Sequence, residues 1–211
     1  MKTVILNGSP RKNWNTAQLL KEAQRGAESI GDEVVYIDLY SLDYNGCRSC
    51  MACKRKGVDE PSRCHFKDGL TPALESIRTA DRLITGAPIY FGDVPGGFRS
   101  FIERIAFPAL SYNTYASTFA GKVDVDIFLT MNTSEEWWRK TTEARIAESV
   151  APLRLLQGEV RLFPVFDTTQ VNDYSKYEMA AFSEEAKRAT RETELPKALE
   201  HAFKVGARTD R

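Results

Sequence analysis

At 211 residues, 42% hydrophobic and 27% charged, the chain has the composition of a globular protein with a sizeable core. Lys plus Arg and Asp plus Glu both number 29, so no overall field recruits nucleic acid or an anionic membrane. No apolar run reaches the roughly 18 residues of a spanning helix, and the opening "MKTVILNGSP" carries no charged leader or cleavage site, so a cytoplasmic chain with no membrane partner is expected.

The apolar run "TVIL" (3–6), ending at "NGSP", predicts a buried strand and a turn. Leu20, Ala23, Ala27 and Ile30 then recur at helical spacing, with Asn15 as the expected cap and Gln18 completing a capping box. "EVVYIDLY" (33–40) predicts a second strand, followed by a cysteine-rich loop over 46–67 and a helix over 70–80. "DRLITGAP" (81–88) reads as the third strand, and Phe98, Ile102 and Ile105 mark the next helix. "VDVDIFL" (123–129) predicts a fourth strand whose alternating aspartates place the start of one face in water. A helix over 135–150 leads to "EVRLFPVF" (159–166), which Pro164 pushes to the sheet edge. Two helical segments, 175–190 and 194–206, form a C-terminal extension. This alternation predicts one α/β domain over 1–211. It has a doubly wound five-stranded parallel sheet of order 2-1-3-4-5, helices on both faces, and a ligand crevice beside strands 1 and 3.

Two loops border that crevice. "NGSPRKNWNT" (7–16) combines a turn at Gly8, hydroxyls on Ser9 and Thr16, the cation of Arg11 and an arriving helix N-terminus, a setting that favours a phosphate dianion. It matches neither G-x-x-x-x-G-K-[ST] nor G-x-G-x-x-G. "APIYFGDVPGG" (87–97) sets Pro88, Ile89, Tyr90 and Phe91 at a strand's C-terminal end, and Gly92 admits close backbone approach. Phosphate at one end and a flat ring at the other describe flavin mononucleotide (FMN).

Through "NGSPRKNWNT", the cysteine loop ending "CHFKDGL", "APIYFGDVPGGFRSFIER", "FLTMNTSEE" and "DYSKY", the chain resembles the flavodoxin-like NADPH-dependent FMN reductase and iron–sulfur flavoprotein family over nearly its whole length. The resemblance implies that Ser9, Arg11, Asn15 and Thr16 hold the phosphate. Pro88, Ile89, Tyr90, Phe91 and Gly92 then border the isoalloxazine ring, and Met131 and Asn132 close its third side. Trp14 stands where relatives often carry Gly.

The cysteines, Cys47, Cys50, Cys53 and Cys64, all lie in one basic loop. C-x2-C-x2-C with a fourth Cys resembles the motif that holds a [4Fe–4S] cluster in iron–sulfur flavoproteins, although the last gap is longer than the compact pattern. Zinc, with His65 adjacent, and free or redox-active thiols stay open beside it. The surrounding Arg48, Lys54, Arg55, Lys56, Arg63 and Lys67 are expected to favour thiolate.

The expectation is therefore an FMN-dependent oxidoreductase that carries electrons from NAD(P)H to a quinone, flavin or other small acceptor. FMN carries the chemistry, and main-chain N–H groups near 90–92 and 131–132 stabilise the reduced ring. No catalytic side chain is assigned. The alternatives are an iron–sulfur flavoprotein or carrier fed by ferredoxin, and a cysteine-based redox sensor. Tyr90, Phe91, Trp137 and Trp138, all near one crevice, point to a homodimer or homotetramer.

Overall fold

The computed structural model describes residues 1–210. Five parallel strands, β1 (Lys2–Asn7), β2 (Glu33–Asp38), β3 (Arg82–Pro88), β4 (Val123–Thr130) and β5 (Gln157–Val165), form one sheet in the order β2-β1-β3-β4-β5. The helices are α1 (Asn15–Ser29), α2 (Thr71–Arg78), α3 (Gly96–Ala109), α4 (Glu135–Thr141), α5 (Glu143–Val150) and α6 (Glu184–Gly206). Each sheet face carries its own core. Ile5, Ile84 and Phe128 meet Leu19, Leu20 and Ala23 of α1 and Ala202 and Val205 of α6. Val4, Leu6, Leu83 and Ile127 share the opposite core with Leu74, Phe98, Ile102, Trp138 and Ile146. Among the described residues, no helix is long and apolar enough to cross a membrane. Pro164 lies in β5, opposite Leu129, at the sheet edge as expected.

Four local expectations need correction. Trp14, not Asn15, is the N-cap of α1, and no side chain caps it. The Asn15 amide is instead drawn into contacts with the far end of the chain, and the Gln18 amide reaches only the Asn13 carbonyl, at 3.4 Å. The helix expected over 135–150 divides at Thr142. There the hydroxyls of Thr141 and Thr142 bond each other, and that of Thr141 also bonds back to the Trp137 carbonyl, which competes with the helical ladder. Beyond β5 there is only a short 3₁₀ turn, Tyr174–Lys176, before α6, which runs unbroken through Pro196. Packing of its C-terminal half on α1 outweighs the proline's local preference.

The fourth correction concerns β4. Asp124 is half-exposed, but Asp126 is buried. Its carboxylate accepts from Arg82 Nε and Arg161 Nε, both at 2.7 Å, while Arg82 also donates to the Val205 and Gly206 carbonyls at the end of α6. A polar residue on a strand can face the core when a buried cation meets it.

Candidate flavin site

The C-terminal ends of β1, β3 and β4 converge on the predicted crevice. Gly8 makes the first turn close: its N–H donates to the Gly86 carbonyl at 2.8 Å, and a Cβ there would stand 2.5 Å from the Phe98 ring. Beyond it, the Ser9 N–H donates to Asn7 Oδ1 at 3.0 Å, and Ser9 Oγ accepts from the Arg11 N–H at 3.2 Å.

The side chains expected to hold phosphate are mostly committed within the protein. Asn15 Nδ2 donates to the Thr169 carbonyl at 2.8 Å, and Asn15 Oδ1 accepts from Arg191 at 2.7 Å. Thr16 and Thr130 share a hydroxyl–hydroxyl bond of 2.7 Å, which leaves one of the two protons to donate elsewhere. Arg11 bonds the Gln170 carbonyl, and its guanidinium lies 5.7 Å from the Trp14 ring. Trp14 donates through Nε1 to the Thr169 carbonyl at 3.0 Å and has Arg191 at 5.4 Å from its ring. Among the described residues, the backbone N–H groups of Asn15, Thr16 and Ala17 meet no protein acceptor, because α1 first bonds internally at Gln18 N–H to Trp14 C=O. Three unpaired donors, the positive end of a helix dipole and two nearby guanidinium groups fit a phosphate.

On the other side of the crevice, Pro88 ends β3 opposite Thr130, and Ile89 N–H donates to the Thr130 carbonyl at 2.9 Å. Tyr90 and Asp93 exchange backbone bonds of 2.8 and 3.0 Å around a two-residue turn with Phe91 and Gly92 at φ 52° and 76°. Phe91 is fully exposed and Tyr90 is 45% exposed. A cleft of about 560 Å³ opens between this turn and the end of β4, with Ile89, Gly92, Met131, Asn132, Trp137 and Lys187 among its walls. Asn132 Oδ1 is buried there without a hydrogen-bond partner, an acceptor suited to a ring N–H. These walls fit a flat heterocycle. Not every expected amide is free, however. The Tyr90 N–H is held by the Asp93 carbonyl, and the Met131 N–H donates to the Val165 carbonyl at 3.0 Å. Trp138 is also not surface: it is 2% exposed and packs near Phe166, while its neighbour Trp137 is open.

Local sequence carried no signal for Arg191 or Lys187. Both lie on α6, and each reaches the crevice only because that helix packs along α1. Thr130, at the end of β4, and Thr169, in the loop after β5, were equally silent.

Cys47, Cys50, Cys53 and Cys64 line one small cavity of about 20 Å³ against α3. The buried Arg104 holds this loop. It donates to Cys64 Sγ at 3.1 Å, to the Asn45 and Phe66 carbonyls at 2.8 Å, and to Asp68 at 2.7 Å. Lys54 spends its donors on the last carbonyls of α3, at Phe107, Pro108 and Leu110. Burial accordingly raises the Cys53 thiol, and the neighbouring Cys64 and Cys50 add to this against the opposing pull of Lys54. The expected thiolate is thus reversed at Cys53. Among the described residues, no three His, Cys, Asp or Glu side chains close on a metal position. Four thiols suit a cluster by donor chemistry, but in this conformation their spacing does not fit one.

The profile of the family described as NADPH-dependent FMN reductase matches residues 1–128. An iron-sulfur flavoprotein of Methanocaldococcus jannaschii is 33% identical over 104 residues, which cover 49% of this chain and 51% of that relative. One from Archaeoglobus fulgidus is 34% identical over 104 residues, 49% of this chain and 48% of the relative. The match thus spans about half the length of these relatives. Among solved structures, an NAD(P)H:quinone oxidoreductase from Methanothermobacter marburgensis superposes with a TM-score of 0.71 over 98% of both chains, at 16% identity. An FMN-dependent NADH-azoreductase from Bacillus anthracis, in complex with FMN, gives 0.64 over 100% of both at 11%. At such identities the likeness is one of fold.

Proposed function

The chain belongs to the NADPH-dependent FMN reductase family, and from that premise we propose that it is an FMN-dependent oxidoreductase passing electrons from NAD(P)H to a quinone, a free flavin or another small acceptor. We read residues 1–211 as one FMN-binding domain, with the cysteine loop 46–67 and the segment 175–206 as additions to it. One observation carries the reading: unpaired N–H groups at the start of α1 and an unpaired buried acceptor, Asn132 Oδ1, stand on either side of the crevice between β1, β3 and β4.

Bound FMN supplies the ability to take a hydride and release electrons. The Asn15, Thr16 and Ala17 N–H groups and the Ser9 loop hold its phosphate, with Arg11 and Arg191 offsetting charge nearby. Ile89 and Met131 give apolar walls, and Asn132 Oδ1 accepts from a ring N–H. The exposed Tyr90–Gly92 turn leaves one face open, as a donor carbon approaching to about 3–3.5 Å requires. No side chain of the cleft need move a proton.

Under argon, excess NADPH or NADH added to the FMN-loaded protein is expected to bleach the flavin within seconds, and a quinone to restore the colour repeatedly. Both nicotinamides inert over minutes, with dithionite effective, would overturn the enzyme reading. A second reading, an electron carrier served by ferredoxin, is favoured by the donor chemistry of four thiols around one cavity, and it requires the cysteine loop to close from the spacing seen here. Anaerobic protein with about four iron and four sulfide per chain would favour it.

A further inference from the structure

Lys187, in the first turn of α6, is a buried cation at 7% exposure, and the cleft beside Met131 and Asn132 is where it is buried. An ammonium has three N–H donors. One goes to the Asn132 main-chain carbonyl at 2.7 Å and one to Asp167 Oδ1 at 2.8 Å. The third meets no protein acceptor among the described residues. The Phe182 ring, 5.8 Å from Nζ, and Ala186 line the same wall. The paired carboxylate does not cancel the charge equally on both sides, because the Asp167 side chain is 41% exposed while that of Lys187 is 9% exposed. Water screens the anion more than the cation. The wall therefore presents a spare donor with positive charge beside the unpaired acceptor Asn132 Oδ1. Donor beside acceptor complements the pyrimidine edge of a flavin, which alternates an N–H with carbonyl oxygens and a ring nitrogen.

We propose that Lys187 is the cation that faces this edge and sets the reduction potential of the bound flavin, an inference that rests on the FMN reading above. Hydride transfer from NAD(P)H moves two electrons and one proton to the flavin and leaves NAD(P)⁺. The reduced flavin carries one more negative charge than the oxidised one until a second proton arrives from solvent. A buried ammonium attracts that added charge and scarcely distinguishes the neutral oxidised ring. A purely structural lysine, tying α6 to the ends of β4 and β5, would hold both forms alike.

The test measures dissociation constants of oxidised and dithionite-reduced FMN, with the midpoint potential, for the parent, Lys187→Met, Lys187→Arg and Asp167→Asn. In Lys187→Met the ratio of reduced to oxidised dissociation constants is expected to rise at least tenfold, equivalent to a potential lower by about 30 mV per tenfold for a two-electron couple. Lys187→Arg should recover most of this. Asp167→Asn should shift the ratio the other way by uncovering the ammonium, and Asn tolerates the left-handed backbone at this position, φ 50°. An unchanged ratio in both Lys187→Met and Asp167→Asn would overturn the proposal while leaving FMN binding intact. If Lys187→Met fails to fold, an unchanged ratio in Asp167→Asn alone overturns it. A parent that binds no FMN in either state removes the underlying reading instead.

Discussion

Phe91 holds a left-handed backbone, φ 52°, with its ring fully in solvent, a combination that costs about 1–2 kcal/mol and gains no burial within the chain. Strain of this kind is retained where the side chain serves a ligand or a second copy. Phe91→Gly is therefore expected to raise unfolding stability by about 1 kcal/mol and to slow flavin bleaching by NADPH. A melting curve and a stopped-flow trace check the two halves, and no loss of rate would free Phe91 from any part in the site. Across the crevice, Ser9 and Arg11 are expected to contribute modestly, since Arg11 is already spent in part on the Gln170 carbonyl. Changing both to Ala should weaken FMN binding by about 1.5–3 kcal/mol, the range of a charge-assisted hydrogen bond. Titration by flavin fluorescence reads this directly, and unaltered affinity would leave the phosphate with the α1 amides alone.

Among the elements, the cysteine loop depends on a single clamp. Burial by itself would raise the Asp68 carboxyl, but hydrogen bonds from Arg104 and from the Asn45 and Leu70 N–H groups outweigh it and hold the group below its ordinary value. A carboxylate lowered on folding stabilises the native state fully above its unfolded value, near pH 3.9, and loses that contribution as pH falls through the folded one. Asp68→Asn leaves the 1%-exposed side chain of Arg104 without its countercharge, at a cost of about 3–5 kcal/mol. Denaturant unfolding should thus separate parent and variant clearly at pH 7, and the gap should narrow only as the pH falls below about 3.9. The variant's thiols should also react faster with a disulfide reagent at neutral pH. A gap that stays constant with pH would mean that the ion pair is not what holds the loop.

For the whole molecule, Tyr90, Phe91, Trp137, Tyr177 and Phe182 are exposed aromatics, four of them on the Tyr90–Phe91 turn or the cleft's own wall. Isolated chains rarely leave so much aromatic surface beside one crevice. A homodimer is expected in solution, with Phe91→Gly and Trp137→Ala together weakening it. Light scattering at micromolar concentration decides the point, and a strictly monomeric mass with FMN bound would refute it.

Much of this architecture was legible in the chain because its signals are local. Alternating apolar runs and helical spacings predict five strands with helices between them, Pro164 predicts an edge, and right-handed crossovers leave the order β2-β1-β3-β4-β5. The two loops we propose for the phosphate and the ring stand out in the chain for the same reason: each lies within about ten consecutive residues, and glycine, hydroxyl and aromatic types declare themselves there. Tertiary structure alone decided which groups are free to act. Asn15 and Thr16 have the side chains a phosphate would want, yet partners far along the chain, Thr169, Arg191 and Thr130, occupy them, and the backbone amides are left open instead. Asp126 reads as a solvent residue until Arg82 and Arg161 meet it, and Cys53 reads as a thiolate until burial outweighs Lys54. Lys187 gives no sign of itself in a polar helix. Its burial depends on α6 lying along α1, a contact between residues well over a hundred positions apart, and no local pattern encodes the desolvation that such a contact imposes.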